Sequence, residues 1–344
     1  MNFNFERWAM LEPMKYYDKP DDSALSASLL QKKYDMIENK NNEYVASQKW
    51  DGEWTMFIKG VGDQILIRSR SLSKVTGAYG DKTQHVPHLV EEMKQWADGT
   101  VVLGELCWDE LGKVSTDVGT ILRCLPAKAV ERQKDHKLVV KAFDILCVGG
   151  EDISDRPYES RIHELEKFFS VDKGYKYFGK TDFFGINFQE AADSIISRGG
   201  EGVVIQRKDN KYESGKRAAW HTLKLKQHIQ EMELPIVATK DATKEYKGSY
   251  GDSWEFKIDG QNVSKAYYYG WKMGITVNFN GTLVDASSGL TDDDRAWLAT
   301  EEAQTLIKNG QLYASIKCMM VASLGGLRHP VIKKIRIMDD AMLK

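Results

Sequence analysis

Lys49-Trp50-Asp51-Gly52-Glu53 is the most informative segment of this 344-residue chain. It leads into residues 54–58, where the residue pattern is typical of a β-strand. Asp-Gly pairs are common in turns, so a solvent-exposed lysine beside a turn is one interpretation of the pentapeptide. The other is a covalent nucleophile, because a lysine amine in a pocket of low polarity can be uncharged near neutral pH. The motifs that follow along the chain decide between the two.

Length and composition indicate a globular protein of two domains. A chain of 344 residues exceeds the usual size of one domain. Charged residues make up 28% and hydrophobic residues 42%, which is the balance of a protein with a buried core. The four cysteines lack the paired spacing of a metal site, so we expect reduced thiols. No secretion signal or apolar run of membrane-spanning length is visible, so we expect a cytoplasmic protein.

The charge distribution predicts a local anion-binding region. A formal net charge of −2 excludes a surface that is basic throughout. Residues 207–226 nevertheless carry seven lysines and arginines against two acidic residues, and a solvated face is the ordinary explanation of such a run. In Leu223-Lys224-Leu225-Lys226, however, the alternation places both lysines on one face of a strand. Two ammonium groups directed at one point suit a phosphate.

The two halves of the chain predict different architectures. The first half mixes strands with helices at residues 89–96 and 158–169, whereas the second predicts short strands separated by turns. One helix is expected from Asp292 to Lys308 with Thr291 as its N-cap. The polar stretch of residues 227–235 predicts a hinge or a domain boundary. The series favours a small barrel of the oligonucleotide-binding (OB) type, and its strands are expected at residues 234–238, 266–269, 273–277 and 313–317.

Further motifs follow the first in a fixed order: Ser69-Arg70, Glu105 in an apolar segment, Phe143-Asp144, Glu201-Gly202-Val203-Val204 and Lys224-Leu225-Lys226. Together with Lys49-Trp50-Asp51-Gly52, this set resembles the covalent nucleotidyltransferase superfamily. Within it, the chain is similar to ATP-dependent DNA ligases of the minimal two-domain, phage-like form. A single short motif is weak evidence, but an ordered set has a negligible chance of arising by accident.

The resemblance implies an α+β fold of two domains. Residues 1–229 would form a nucleotidyltransferase (adenylation) domain of mainly antiparallel sheets flanked by helices. Residues 230–344 would form a small OB-fold β-barrel domain. The implied reaction is ATP-dependent ligation of nicks in duplex DNA, through lysyl-AMP and DNA-adenylate intermediates. The implied location is the cytoplasm, with a phage or bacterial origin, and the chain is expected to act as a monomer.

The resemblance also assigns roles to individual residues. Lys49 would become adenylylated, and Arg70 would contact the 5′-phosphate of the DNA at the nick. Mg²⁺, or Mn²⁺ as an alternative, would be bound by Glu105 and Glu201, since oxygen-rich sites accept both ions. Four residues would bind ATP or AMP: Glu105, Phe143, Lys224 and Lys226.

The residue types leave some roles open. Glu105 and Glu201 interrupt apolar segments, where a carboxylate is costly unless it is exposed or partnered. Phe143 would stack on adenine, but a phenylalanine in an apolar strand is equally suited to plain core packing. Asp51 and Asp144 are alternatively structural hydrogen-bond acceptors.

Two positions depart from the family pattern. Trp54 stands where the first motif usually ends in arginine, and an indole cannot replace a guanidinium in an ion pair. The last motif usually reads Arg-x-Asp-Lys, whereas residues 336–341 have Met338 and Ala341 where cations are expected. Two alternatives to a DNA ligase therefore stay open. One is an RNA ligase or mRNA-capping guanylyltransferase on the same scaffold, and the other is a catalytically impaired DNA-binding relative.

Overall fold

A computed structural model describes residues 3–14, 17–18, 37, 41–73, 76–110, 115–170, 173–185, 187–216, 222–226, 231–246, 255–318, 320–321, 326–328 and 330–338. The chain divides into two compact units, Met1–Lys226 and Gln227–Lys344. No helix among the described residues is long and apolar enough to cross a membrane.

The first unit combines two β-sheets with helices. Short 3-10 helices lie at Asn41–Glu43 and Thr83–His85. The helices are α1 (Phe5–Ala9), α2 (Pro87–Met93), α3 (Ser115–Leu122), α4 (Pro126–Arg132), α5 (Tyr158–Phe168) and α6 (Phe188–Ser197). The strands are β1 (Tyr17–Asp18), β2 (Tyr44–Lys49), β3 (Glu53–Lys59), β4 (Ile65–Leu72), β5 (Tyr79–Asp81), β6 (Thr100–Cys107), β7 (Val139–Val148), β8 (Glu151–Asp152), β9 (Phe178–Lys180), β10 (Phe183–Phe184), β11 (Gly202–Arg207) and β12 (Thr222–Lys226).

The opening motif connects the two sheets. The larger sheet has the order β5-β4-β3-β6-β7-β8, with β9 beside β7. The smaller sheet has the order β1-β12-β11-β2-β10. Both are antiparallel except at the β7–β9 and β1–β12 pairs. Because β2 ends at Lys49 in one sheet and β3 begins at Glu53 in the other, Trp50-Asp51-Gly52 carries the chain across. The nucleophile candidate therefore stands at a junction of two sheets.

The central strands of the larger sheet are covered on both faces. Phe57 and Val102 belong to a core on one face, which also includes Leu89 of α2. Their neighbours Met56 and Leu103 belong to a core on the opposite face, as the two-residue period of a strand requires. This double burial explains why these strands are continuously apolar in sequence rather than alternating.

A buried ion pair joins β7 to α5. The Arg161 guanidinium donates two hydrogen bonds to the Asp144 carboxylate, at 2.8 Å from Nε and 2.9 Å from Nη2. Arg161 also donates to the carbonyl oxygens of Arg156 and Asn210, at 2.6 and 3.0 Å. Both side chains are buried. Asp144 is therefore a structural hydrogen-bond acceptor, which is the alternative that the sequence left open for it.

The second unit contains an antiparallel sheet with the order β17-β16-β13-β18-β21 and two short hairpins, β14–β15 and β19–β20. Its strands are β13 (Met232–Asp241), β14 (Lys257–Ile258), β15 (Gln261–Asn262), β16 (Lys272–Phe279), β17 (Thr282–Ala286), β18 (Leu312–Lys317), β19 (Met320–Val321), β20 (Leu327–Arg328) and β21 (Val331–Ile337). Its helices are α7 (Lys265–Tyr268), α8 (Asp292–Trp297) and α9 (Glu301–Lys308).

The two edges of this second sheet meet. Ser288, just after edge strand β17, forms a parallel bridge with Val331, the first residue of the other edge strand β21. The Ile332 amide donates to the Ser288 carbonyl oxygen at 2.8 Å. The sheet therefore curves far enough to bring its ends together around a core that includes Ile275, Leu298 and Leu312.

Several sequence predictions for this unit have a clear outcome. Thr291 is an N-cap, as predicted, and completes a capping box with Asp294. The predicted helix is divided into α8 and α9, because Thr300 caps a second start. The strand predicted at residues 266–269 is wrong: Ser264 caps the short helix α7 there. The two units divide between Lys226 and Gln227, at the start of the stretch predicted as a hinge or domain boundary, and β13 begins within that stretch at Met232. Residues 227–230 lie outside the described chain.

Candidate active site

A cavity of about 260 Å³ adjoins the opening motif and is lined by strands of both sheets of the first unit. Among the candidates from sequence, Lys49, Glu105, Phe143, Lys224 and Arg70 line it. The rest of its wall is formed by Ser47, Gln48, Trp50, Gly52, Glu53, Trp54, Ser71, Lys141, Tyr158, Thr181, Val204 and Gln206. Residues far apart in sequence thus converge on one small space.

The smaller sheet places its candidates by strand register. Lys49 lies directly opposite Gly202, and Ser47 lies opposite Val204. Val204 in turn lies opposite Lys224. Residues directly opposite in an antiparallel pair project from the same face. Lys49, Ser47, Val204 and Lys224 therefore share the face that borders the cavity.

The larger sheet contributes the facing wall. Trp54 lies opposite Glu105, which lies opposite Lys141. Phe143 follows two residues after Lys141 on β7 and borders the same cavity. The Tyr158 hydroxyl donates to the Phe143 carbonyl oxygen at 2.9 Å and holds this part of β7 against α5.

Glu201 holds the Lys49 side chain. The Nζ of Lys49 lies 2.5 Å from Oε2 of Glu201, and both side chains are largely buried. Glu201 directly precedes β11, so its position depends on the pairing of β11 with β2. The amine is thereby fixed at one point of the cavity wall, beside a carboxylate that can accept its proton.

Burial raises the pKa of the Glu105 carboxyl to about 8. The positive charge of Lys49 lowers this pKa, whereas the nearby carboxylates of Glu201, Asp51 and Glu53 raise it. Three carboxylates and one cation are thus the charged groups that shift the pKa of Glu105 most. A buried carboxyl beside other carboxylates favours a bound cation or a bound proton.

The donor set fits a magnesium ion that arrives with a nucleotide. Mg²⁺ is usually bound by one or two carboxylates together with substrate phosphates and water. Glu105 and Glu201 are carboxylates close to Lys49. Within the described part of the chain, no group of three or more His, Cys, Asp or Glu side chains is placed to hold a metal ion. The remaining ligands would therefore be phosphate and water oxygens.

Gly52 is required by a close approach between two chain segments. A Cβ atom at this position would lie 2.3 Å from the carbonyl oxygen of Leu106 and 2.9 Å from Cβ of Cys107. The crossing segment therefore packs directly on β6, next to Glu105. This contact explains the glycine of the motif better than a turn requirement does.

Replacing Gly52 with alanine is expected to lower the free energy of unfolding by about 1–3 kcal/mol, because the added methyl group must displace backbone atoms of β6. Urea unfolding of the purified protein measures this change. Gly179→Ala is the matched control, since nothing lies within 4 Å of a Cβ atom there. Equal stability of the Gly52→Ala protein and the wild type would contradict the packing described.

Trp54 is a core residue as well as a cavity residue. It is 8% exposed and packs with Met56 and Leu103. The guanidinium of Arg68 lies 5.6 Å from its ring and 4.0 Å from the ring of Tyr79. Arg68 is fully buried, and this burial lowers its pKa to about 10. The first family motif usually has an arginine at position 54, and here a buried arginine, Arg68, lies beside Trp54 on the neighbouring strand β4. Arg68 is not among the residues that line the cavity.

The remaining candidates have mixed outcomes. Arg70 is exposed at the cavity wall. The structure describes only the backbone of Lys226, so the prediction for its side chain lies outside the described part. In the basic run, Arg207 donates to Asp209 at 2.7 Å, and residues 217–221 lie outside the described chain. The last motif is described only as far as Met338.

Several cavity residues were not among the sequence candidates, and they include Lys141, Ser47 and Gln206. Lys141 lies 2.5 Å from Asp109 and 4.7 Å from the ring of Trp50. Ser47 and Gln206 are buried polar residues of β2 and β11. Ser47 lies two residues before Lys49 on the same strand, and this spacing was a signal that the alternation could have given. Nothing local marks the other two.

Comparisons with known proteins identify the family of this chain. The family model described as ATP dependent DNA ligase domain matches residues 25–226, which are more than half of the chain. A DNA ligase from Nitrosopumilus maritimus is 24% identical over 238 residues, covering 65% of this chain and 38% of that protein. One from Sulfolobus acidocaldarius is 26% identical over 194 residues, covering 54% and 31%. The chain thus spans only about a third of the length of these relatives.

A solved structure from a study of Lig E DNA ligases has a similar fold. It superposes with a TM-score of 0.60 at 15% identity and covers 95% of this chain and 100% of its own. This likeness supports the mixed α/β architecture with antiparallel sheets. The family match covers all the motif residues of the cavity. The chain therefore belongs to the ATP-dependent DNA ligase domain family.

Proposed function

We propose that this protein is an ATP-dependent DNA ligase that seals nicks in duplex DNA by joining a 3′-hydroxyl to a 5′-phosphate. The observation that carries the proposal is the Lys49 amine, fixed 2.5 Å from the Glu201 carboxylate in a cavity that also holds Glu105, Phe143 and Lys224. An amine, a nearby proton acceptor and a second cation are the groups that transfer of a nucleotide to lysine requires.

In the first step, Nζ of Lys49 attacks the α-phosphorus of ATP. The new phosphorus–nitrogen bond forms as the bond to pyrophosphate breaks, and Glu201 accepts the proton that the amine loses. Lys224 shares the cavity and offsets negative charge on the phosphates. Glu105 and Glu201 would hold Mg²⁺, which would neutralise charge at the phosphate oxygens when bound.

The next two steps transfer AMP away from the protein. An oxygen of the DNA 5′-phosphate attacks the AMP phosphorus, and the bond to Lys49 breaks. The 3′-hydroxyl then attacks the 5′-phosphorus, and AMP leaves. Arg70 is exposed at the cavity wall and is our candidate for binding the 5′-phosphate. Contacts of this kind position DNA without reading its sequence.

The domain roles are part of the proposal. Residues 1–229 act as the nucleotidyltransferase domain and residues 230–344 as an OB-type barrel that binds duplex DNA. Support for the barrel comes from the bridge between Ser288 and Val331, which joins the ends of the second sheet. We further propose that the protein acts as a monomer in the cytoplasm, with Mg²⁺ or Mn²⁺.

The test is a transfer assay in two stages. The protein is incubated with Mg²⁺ and labelled ATP or labelled GTP, and then with nicked duplex DNA or nicked duplex RNA. We expect covalent label from ATP and sealing of the DNA nick. Covalent label from GTP but not from ATP would contradict the proposal and indicate a capping-type guanylyltransferase. Sealing of nicked RNA but not of nicked DNA would indicate an RNA ligase. No label from either nucleotide would favour a DNA-binding relative without catalysis.

A further inference from the structure

Two side chains that line the cavity, Trp50 and Gln206, carry a buried N–H donor with no hydrogen-bond partner among the described residues. Gln206 is the more deeply buried of the two, with 4% of the residue exposed, and its unpartnered donor is Nε2. A buried amide donor without an acceptor costs free energy, so such a group needs an explanation. An acceptor that arrives with a ligand is an explanation that the cavity itself provides.

The register places Gln206 at the end of the cavity away from the nucleophile. On β11, Gly202, Val204 and Gln206 project from one face, and Gly202 is opposite Lys49. Gln206 is opposite Val45, four residues from Lys49 on β2. At the rise of an antiparallel strand, this is about 13 Å along the sheet. Because the α-phosphate of a nucleotide must reach Lys49, the base is the part that extends toward Gln206.

The chemistry of this end suits a base rather than a phosphate. Gln206 is neutral, and its neighbours across the sheet are Val45 and Thr222. Lys49 and Lys224, which are cations, lie opposite Gly202 and Val204 instead. Val204 and Phe143 supply apolar surface on the two walls. A carboxamide matches adenine with two hydrogen bonds: its oxygen accepts from the 6-amino group, and its nitrogen donates to the adjacent ring nitrogen.

We propose that Gln206 binds the adenine edge of ATP and is a specificity-determining residue of the first step. The inference rests on the proposed function, since it concerns the same nucleotide. Gln206 donates from Nε2 to a ring nitrogen next to the 6-amino group. Among the described residues this donor has no acceptor, and the ring nitrogen of the base would supply one.

The experiment measures kcat/KM for covalent labelling with ATP, 1-deaza-ATP and 7-deaza-ATP, each of which lacks one candidate ring nitrogen. We expect the wild type to use one deaza analogue about tenfold less efficiently than ATP, as loss of one hydrogen bond implies. Gln206→Met, which has no donor, is expected to use ATP and that analogue equally. Its thermal midpoint should stay close to that of the wild type, because Nε2 of Gln206 donates to no other described residue.

Gln133→Met is the matched control. Gln133 is also a buried glutamine, but its Nε2 donates to the carbonyl oxygens of His85 and Ala129 at 2.8 and 3.0 Å. This variant is expected to lower the thermal midpoint and to keep the discrimination between ATP and its analogues. Discrimination by Gln206→Met equal to that of the wild type would overturn the inference while leaving the proposed function intact. Absence of label in the wild type would instead overturn the proposed function.

Discussion

Lys49→Ala is expected to abolish nick sealing with ATP, with a loss of roughly 10⁴-fold or more, because no other group replaces a missing nucleophile. The structure supports this expectation through the position of the amine, which Glu201 holds at the cavity wall. The measurement is the rate of joining on a labelled nicked duplex. Formation of the covalent nucleotide adduct should be lost in parallel.

Two controls separate chemistry from folding in this experiment. Lys167→Ala removes an exposed lysine of α5 that pairs with Glu164, and it should seal nicks like the wild type. A nick that already carries AMP on its 5′-phosphate bypasses the step that needs Lys49. The Lys49→Ala protein should therefore still join this substrate. Full activity of Lys49→Ala with ATP would refute the mechanism.

The second large effect is on stability. Asp144→Ala is expected to lower the free energy of unfolding by about 3–5 kcal/mol, because it leaves the charge of Arg161 buried without its carboxylate. Both oxygens of Asp144 accept hydrogen bonds from Arg161, so the loss is complete rather than partial. Urea or thermal unfolding of the purified protein measures the difference.

The comparison for Asp144→Ala is an exposed pair nearby. Arg156 pairs with Glu151 at the surface, where both side chains are about half exposed. Glu151→Ala should change stability by less than about 1 kcal/mol. The double variant Asp144→Leu/Arg161→Met removes both buried charges and should be more stable than Asp144→Ala. If Asp144→Ala were as stable as Glu151→Ala, the buried pair would have no structural role.

Local patterns in the sequence predicted much of the fold. Thr291 and its acidic neighbours marked a helix start, and the apolar segment after Glu53 marked a strand. The strand predicted at residues 266–269 was wrong because it was based on the tyrosines at residues 267–269, and aromatic residues favour strands in general. The structure instead has a short helix there, and its N-cap Ser264 accepts a hydrogen bond from the Tyr267 amide.

Only those site residues that belong to the family motifs could be predicted from the sequence. Lys49, Glu105, Phe143 and Lys224 border one cavity, as expected of an ordered set of motifs. Gln206 was not predictable, because its place depends on the register between β11 and β2, which are more than 150 residues apart. No local pattern encodes such a register, since tertiary packing of distant strands fixes it.

The surroundings of Trp54 were also not predictable from the sequence, because they depend on the pairing of β3 with β4. The sequence showed only that an arginine was absent, whereas the structure shows the indole packed beside the buried guanidinium of Arg68. An arginine inside an apolar strand, in Ile65-Leu66-Ile67-Arg68, was the available signal. It was not interpretable alone, because the partner strand was unknown.

The most direct test of the central claim is to locate the covalent nucleotide. The protein is incubated with ATP and Mg²⁺, digested with a protease, and its peptides are analysed by mass spectrometry under conditions that preserve phosphoramidate bonds. The account predicts the mass of one AMP on Lys49 and on no other residue. An adduct on a different lysine, or none in a protein that seals nicks, would contradict it.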